Sequence, residues 1–382
     1  MTVNSKGQKV KSDYQICTKC IMDTTDPDIS FDDNGVCSHC HRYESTVREE
    51  SYLRKRKDGA LEHLVETIKK HGKGKRYECI IGVSGGVDST YTAYITKKLG
   101  LRPLAVHLDN GWDSEIAVSN IEKTMKKLNI DLYTHVFDWE EFRDLQLAFL
   151  KSSTPDSEIP TDHAILAVLY MIAHRENVNF ILSGHNTATE GGGVPAWSQG
   201  HGDWRYIKSV HRQFGSKPLK SFAHYGPLKF IYYTVIKRIK WVQILDYLDY
   251  NKNNALTTLQ NELGWKYYGG KHYESIYTRF YQGYILPKKF GFDKKRLHLS
   301  SLIWSGQINR EFALEEMTKD DYPEVLKEQD KKFVIKKLNI SLREFEQIMR
   351  MPIKSFWDYP SYKKVFGQCK WLISIYHSLR RA

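Results

Sequence analysis

No run of this sequence approaches the roughly 20 apolar residues that a membrane helix requires. Met1 to Lys11 is polar and has no apolar core of the secretory-signal kind, so a cytoplasmic protein without a membrane partner is expected. Internal repeats and low-complexity tracts are missing, and the phosphate loop G-x-x-x-x-G-K-[ST] is absent. Acid is in short supply: 45 Asp and Glu stand against 57 Lys and Arg, a formal charge of +12. That balance asks for an anionic partner but does not choose between nucleic acid and a small anion. Basic clusters at Arg54–Lys57, Lys69–Arg76, Lys237–Lys240 and Lys288–Arg296 read equally as solvated faces. Cysteine is scarce too, and six thiols in a chain of this kind argue for metal or chemistry rather than disulfides. The 382 residues, at a mean hydropathy of −0.53, suffice for one large or two modest globular domains.

Ser84-Gly85-Gly86-Val87-Asp88-Ser89 lies between the apolar run Tyr77–Val83 and the helix-like stretch Thr90–Leu99. A strand, a glycine turn and a helix start gather backbone N–H groups and the positive end of a helix dipole at one point, an anion site. Ser84 and Ser89 add hydroxyls, and Asp88 suits a bridging cation better than a phosphate. Around this loop, Tyr77–Val83, Arg102–Leu108, Asp131–Phe137 and Asn179–Ser183 read as strands. Between them Thr90–Leu99, Ser114–Asn129, Trp139–Lys151 and Thr161–Asn177 carry apolar residues at helical spacing. The alternation predicts an α/β fold, a parallel sheet with helices on both faces, whose ligands bind beyond the C-terminal strand ends. Ser84, Asp109 and Gly184 follow such ends. Asp109 and Asn110 could contact a nucleotide or simply form an Asx turn. Three regions are expected: a cysteine-knuckle module at 1–52, an α/β domain carrying the anion loop at 53–208 and a mostly helical substrate or partner region at 209–382.

Cys17-x-x-Cys20 and Cys37-x-x-Cys40, separated by Ile21–Val36, have zinc-ribbon spacing. Four thiolates leave no open coordination position, so a structural Zn²⁺ is expected, with His39 and His41 as spare donors. Asn186–Arg205 is a long glycine-rich loop, read as a lid in which Trp197 could meet substrate. Pro160-Thr161-Asp162-His163 opens a helix, where Thr161 or Asp162 could cap and His163 could transfer a proton. Downstream, Gly269-Gly270-Lys271-His272-Tyr273-Glu274-Ser275 precedes Arg279. His298, Ser301 and Ser305 recur on one helix face, where structural hydrogen bonding is the favoured reading.

The Ser-Gly-Gly-Val-Asp-Ser loop resembles the pyrophosphate loop of ATP pyrophosphatases, which fits an adenine nucleotide alpha hydrolase-like fold. Ser183-Gly184-His185-Asn186-Thr187-Ala188-Thr189-Glu190 resembles the segment of NAD synthetases in which a glycine is followed six positions later by a Mg²⁺-binding glutamate. Taken in order, the knuckles, the loop and Gly-Gly-Lys-His-Tyr-Glu-Ser resemble the N-acetyl sugar amidotransferases of surface-polysaccharide (lipopolysaccharide O-antigen) and flagellin-glycan pathways. The resemblance spans Cys17 to about Arg310. It implies an ATP-dependent conversion of an acetamido group on a nucleotide-activated N-acetyl sugar into an acetamidino group. ATP would bind at Ser84, Gly85, Gly86, Asp88, Ser89, Asp109, Asn110 and Gly184, with Mg²⁺ on Asp88 and Glu190. Catalysis would fall to Asp88, Lys271, Glu190 and His163, and substrate contacts to Arg279, His272 and Trp197. No glutaminase nucleophile is recognisable, which implies ammonia from a separate glutaminase subunit. Nucleic acid is the less favoured partner. The rival readings are a tRNA-modifying pyrophosphate-loop enzyme (a thiolase or lysidine-type ligase) and a non-enzymatic zinc-ribbon adaptor.

Overall fold

The computed structural model describes residues 13–270 and 272–366, with the backbone alone of 2–3 and 9–10. Those four residues pair as a short antiparallel ladder, β1 (Thr2–Val3) with β2 (Lys9–Val10). The centre is a five-stranded parallel sheet of β3 (Cys79–Gly82), β4 (Pro103–Asp109), β5 (Asp131–Val136), β6 (Phe180–Ser183) and β7 (Lys240–Gln243), in the order β5-β4-β3-β6-β7. The four strands expected from the sequence are all present. The fifth, β7, comes from beyond residue 208, where the basic run Lys237–Lys240 masked a strand start.

Covered on both faces, the inner strands are continuous apolar runs, as buried parallel strands should be. Alternation splits them: Ile81 and Leu182 face Val65, Ile68, Ala93 and Ile121 on one side. Ile80 and Ile181 face Val168, Leu169 and Ile172 on the other. The first face carries α3 (Ala60–His71), α4 (Val87–Lys98) and α5 (Glu115–Leu128). The second carries α7 (Ile159–Arg175), preceded in the chain by α6 (Trp139–Ser152). Ser114 and Asp138 cap α5 and α6 by accepting the N–H of Ala117 and Glu141. Chain order reverses between β3 and β6, which opens a crevice at their C-terminal ends.

A third, larger core lies away from the two faces of the sheet. It holds Cys17, Cys20, Cys37 and Cys40 with Trp112, Phe149, Trp197, Tyr277 and Phe345. Around it pack α1 (Ser38–Arg48), the helical turn 187–190, α9 (Trp204–Phe214) and α13 (Lys294–Trp304), and further helices at 276–280, 324–337 and 342–350. The helical character expected after residue 209 is borne out as far as 366. The end of that region, from 367 on and with Cys369, lies outside the described residues.

Candidate active site

At the C-terminal end of β3 the backbone turns through Ser84 and Gly85 into α4. Gly85 has φ +78°, and a Cβ there would lie 2.7 Å from the carbonyl oxygen of Ala117, so only glycine lets the loop lie against α5. Ser84 Oγ and Ser89 Oγ are 3.1 Å apart, and Ser89 Oγ also donates to the carbonyl of Gly86 at 3.2 Å. Gly184, at the end of β6, meets this loop from the other side. A Cβ on it would sit 2.9 Å from the carbonyl carbon of Asp88 and the nitrogen of Ser89. The end of β6 is thereby pressed onto the start of α4, with no room for a larger residue.

Asp88 accepts a hydrogen bond from the Tyr250 hydroxyl and one from Thr189 Oγ1 at 3.5 Å. Glu190 pairs with His185 Nδ1. Burial, then the charge of Asp88, push the Tyr250 hydroxyl far above its ordinary pKa, with a smaller push from Glu190. Two hard oxygen donors beside an anion loop fit Mg²⁺. Trp265 Nε1 donates to the carbonyl of Gly85 at 3.0 Å, so the C-terminal part of the chain clasps the loop.

The loop forms one wall of a cavity of about 700 Å³. An apolar wall comes from Val106, Leu108, Ile165, Leu169, Leu182 and Trp241. The far end is polar, with Asp156, Glu158, Asp162, Ser198, His201 and Lys294. Glu274 Oε1 stands at the loop instead, 3.4 Å from where a Cβ on Gly86 would lie, with His272 3.6 Å from Glu274 and the His298 ring 5.2 Å from that of His272. Ser198 Oγ joins His201 Nε2 at 2.9 Å to Asp156, and His201 lies 3.3 Å from Asp162. Burial works against a charge on His201, but Asp156 and Asp162 raise its pKa to about 10. Burial likewise raises Glu158, while Lys294 counters it. Glu158 accepts hydrogen bonds from the Thr278 hydroxyl and from Gln282 Nε2 at 3.4 Å.

The segment after Lys271 is docked by its backbone. Ser114 N donates to the carbonyl of Glu274 at 2.8 Å, and Ile276 N to that of Trp112 at 2.9 Å. This short bridge, Asp113 with Ser275, brings His272 and Glu274 to the cavity. On α13, Lys294, Leu297, His298 and Ser301 share the cavity face, while Ser305, just past its end, bonds back to Leu302 and accepts from Gln307 Nε2 at 3.3 Å.

Several expected residues are elsewhere. His163 is fully buried, stacked between Trp204 and Tyr225 at 5.8 and 4.5 Å. Its Nδ1 donates to the carbonyl of His201 at 2.7 Å and its Nε2 accepts from Tyr225 N at 3.2 Å, so both nitrogens are spent on structure. Burial lowers its pKa to about 4. Arg279 turns away into a two-point pair with Asp330, both contacts 2.8 Å, which removes it from the cavity. Asp109 accepts the N–H of Gly111 at 2.8 Å, the Asx-turn alternative, while Asn110 lines the cavity. Trp197 lines it too, stacked on Phe292 at 4.4 Å. Lys271 lies outside the described residues. Tyr250, Asp156, His201 and Lys294 were not singled out from the sequence. His201 stood in the glycine-rich loop, but nothing local marked it.

The four cysteines form a second centre. The Sγ–Sγ distances are 3.8 Å (Cys17–Cys40), 3.6 Å (Cys20–Cys37) and 3.7 Å (Cys37–Cys40). A tetrahedron with zinc–sulfur bonds of ~2.3 Å has edges of about 3.8 Å, so the cluster fits zinc as it stands. The N–H groups of Lys19, Cys20 and Cys37 point at Cys17 Sγ, at 3.3, 3.4 and 3.2 Å, and Trp304 Nε1 donates to Cys40 Sγ at 3.2 Å. His39 and His41 pair with Asp26 and Asp32 and do not replace a cysteine. The module also grips the cavity wall. Arg296 of α13 donates to the carbonyl of Ile21 at 2.7 Å, and Arg42 to that of Gly193 in the lid loop at 3.1 Å.

Residues 274–373 match the family model described as LPS biosynthesis protein WbpG-like, C-terminal domain. The chain is also similar to the tRNA-specific 2-thiouridylase MnmA of Mesomycoplasma hyopneumoniae, 29% identical over 154 residues, which cover 34% of this chain and 41% of that protein. With the glutamine-hydrolyzing GMP synthase of Pyrobaculum aerophilum it shares 26% identity over 216 residues, 52% of this chain and 39% of that one. It thus spans about two fifths of the length of these curated relatives. Among solved structures, the NH3-dependent NAD synthetase of Campylobacter jejuni aligns over 56% of this chain and 93% of its own, at 15% identity and a TM-score of 0.28.

Proposed function

We propose that this chain is an ATP-dependent amidotransferase that turns the acetamido group of a nucleotide-activated sugar into an acetamidino group. The observation that carries the reading is the shared cavity. One wall is the loop Ser84–Ser89, and another is Glu274, Thr278, Gln282, Lys294, His298 and Ser301, all inside the stretch similar to an LPS biosynthesis domain. The loop's N–H groups and hydroxyls would hold the pyrophosphate of ATP, and the apolar wall would take the purine. Asp88 and Glu190 would hold Mg²⁺, which offsets phosphate charge when bound. Lys271, next in the chain to His272, is the candidate cation for the leaving pyrophosphate.

The acetamide oxygen attacks the α-phosphorus and pyrophosphate leaves, giving an O-adenylyl imidate. Ammonia adds to the imidate carbon, the C–O bond breaks, and AMP departs with the former amide oxygen. In this scheme the polar far end, with Asp162, His201 and Lys294, orients the sugar. The ammonia would come from a separate glutaminase. Four cysteines are committed to the cluster and Cys79 is buried in β3, so no described thiol offers a glutaminase nucleophile.

The similarity to tRNA thiouridylases favours one second reading, a tRNA-modifying enzyme. A single assay separates the two. The chain is incubated with ATP, Mg²⁺ and ammonium salts against a panel of diacetamido nucleotide sugars, with bulk tRNA as a parallel arm. AMP and pyrophosphate formed together with a sugar in which NH replaces O supports the amidotransferase. AMP released only with tRNA supports the rival.

A further inference from the structure

From Trp204 to Leu245 the chain runs 42 residues without an Asp or Glu, while carrying Arg205, Lys208, Arg212, Lys217, Lys220, Lys229, Lys237, Arg238 and Lys240. Nine positive charges in one stretch account for most of the chain's net +12. Inside it, the helix Pro227–Ile231 continues as a wider π-turn over Tyr232–Ile236. Its buried side is fixed: Tyr233 is 4% exposed and stacks on Tyr170 at 5.7 Å, with Phe230 beside it. Its outer side is apolar. Leu228, Ile231, Tyr232, Val235 and Ile236, at the spacing i, i+3, i+4, i+7 and i+8, are 83, 39, 38, 39 and 65% exposed. Lys229, Lys237, Arg238 and Lys240 rim this stripe, all exposed and without an ion pair among the described residues.

We infer that this stripe is a docking face for the surface of an anionic membrane. Isolated exposed apolar residues need no explanation, but a continuous helical stripe does. The rim decides what covers it. Protein interfaces are depleted of lysine, whereas helices that lie in the lipid headgroup region pair an aliphatic and aromatic face with a Lys/Arg-rich one. No acid within the stretch opposes a negatively charged surface. The absence of a membrane-crossing helix among the described residues is compatible with a helix that lies on the surface. The inference revises the expectation that membranes play no part, and it stands whether or not the proposed reaction is correct.

Co-sedimentation of the full chain with vesicles tests it. Vesicles of phosphatidylglycerol and phosphatidylcholine should bind the chain at least about tenfold more tightly than phosphatidylcholine alone, and added salt should weaken the binding. Ile231→Asp with Ile236→Asp, and separately Lys237→Glu with Arg238→Glu, should each lower binding about tenfold. The melting temperature should hold, because these side chains are exposed. Equal binding to both vesicles, or an apolar-stripe variant that binds like the parent, would overturn the inference. So would a dimer that the stripe variant dissolves, or selective loss of glutamine-driven but not ammonia-driven turnover, since either gives the stripe a protein occupant.

Discussion

At one end of the cavity a single turn of backbone between β3 and α4 supplies the lining residues Ser84 and Ser89 and, in the same turn, Asp88. At the other end Asp156, His201 and Lys294 arrive from the segment before α7, from the lid loop and from α13, with 138 positions between the first and the last. The first end is set by this local backbone and then braced by Gly184 at the end of β6, by Tyr250 on Asp88 and by Trp265 on Gly85. The second has no scaffold of its own and is assembled on the cysteine module, which holds α13 through Arg296 and Trp304 and the lid loop through Arg42. In the proposed reaction, nucleotide binding would thus rest mainly on local backbone, and recognition of the second substrate on tertiary packing and on a metal.

Substitutions can pull the two ends apart. Asp88→Asn should remove about 10²- to 10³-fold of pyrophosphate release while leaving the fold intact, because the charge it removes acts at the phosphates. A variant with parental activity would break the assignment. Cys20→Ser, or chelation, should weaken acceptor binding by roughly 10- to 100-fold and alter the fluorescence of Trp197 and Trp304, yet spare ATP binding. If both ligands were lost equally, the two ends would not be separable. Arg279→Gln leaves the largely buried Asp330 unpaired and should cost about 3–5 kcal/mol of stability with no change in KM for ATP. A raised KM with parental stability would return Arg279 to the site.

A pH dependence of stability completes the set. Unfolded, His163 takes a proton near its ordinary 6.5, and folded it resists until about 4. Stability should therefore fall between about pH 6.5 and 4, by on the order of 3 kcal/mol. His201 runs the other way. Its folded pKa of about 10 gives a contribution complete below 6.5 and lost as the pH rises through 10. Urea midpoints across this range should show an acid limb that His163→Phe flattens and an alkaline limb that His201→Gln flattens. Limbs that ignore these substitutions would contradict the assigned environments.

What was legible in the sequence follows the same division. The parallel sheet, the anion loop and the four-cysteine cluster are short-range patterns, in which spacing and apolar runs carry the geometry. β7 escaped because Lys237–Lys240 hides a strand start at a sheet edge, where one side need not be buried. His163 was misread because a helix start exposes some residues, and only tertiary packing turned this ring inward between Trp204 and Tyr225. Arg279 was misread because its partner Asp330 lies 51 positions downstream. The Asp156, His201 and Lys294 cluster gives no local signal at all, since each residue alone is an ordinary polar side chain.

The central claim is that ATP activates the oxygen of a sugar amide. A diacetamido nucleotide sugar labelled with ¹⁸O in its acetamido carbonyl, incubated with ATP, Mg²⁺ and ammonium, tests this directly by mass spectrometry of the nucleotide products. The account predicts ¹⁸O in the phosphate of AMP and an unlabelled acetamidino sugar. Unlabelled AMP, or label retained in the sugar or released to water, would contradict it.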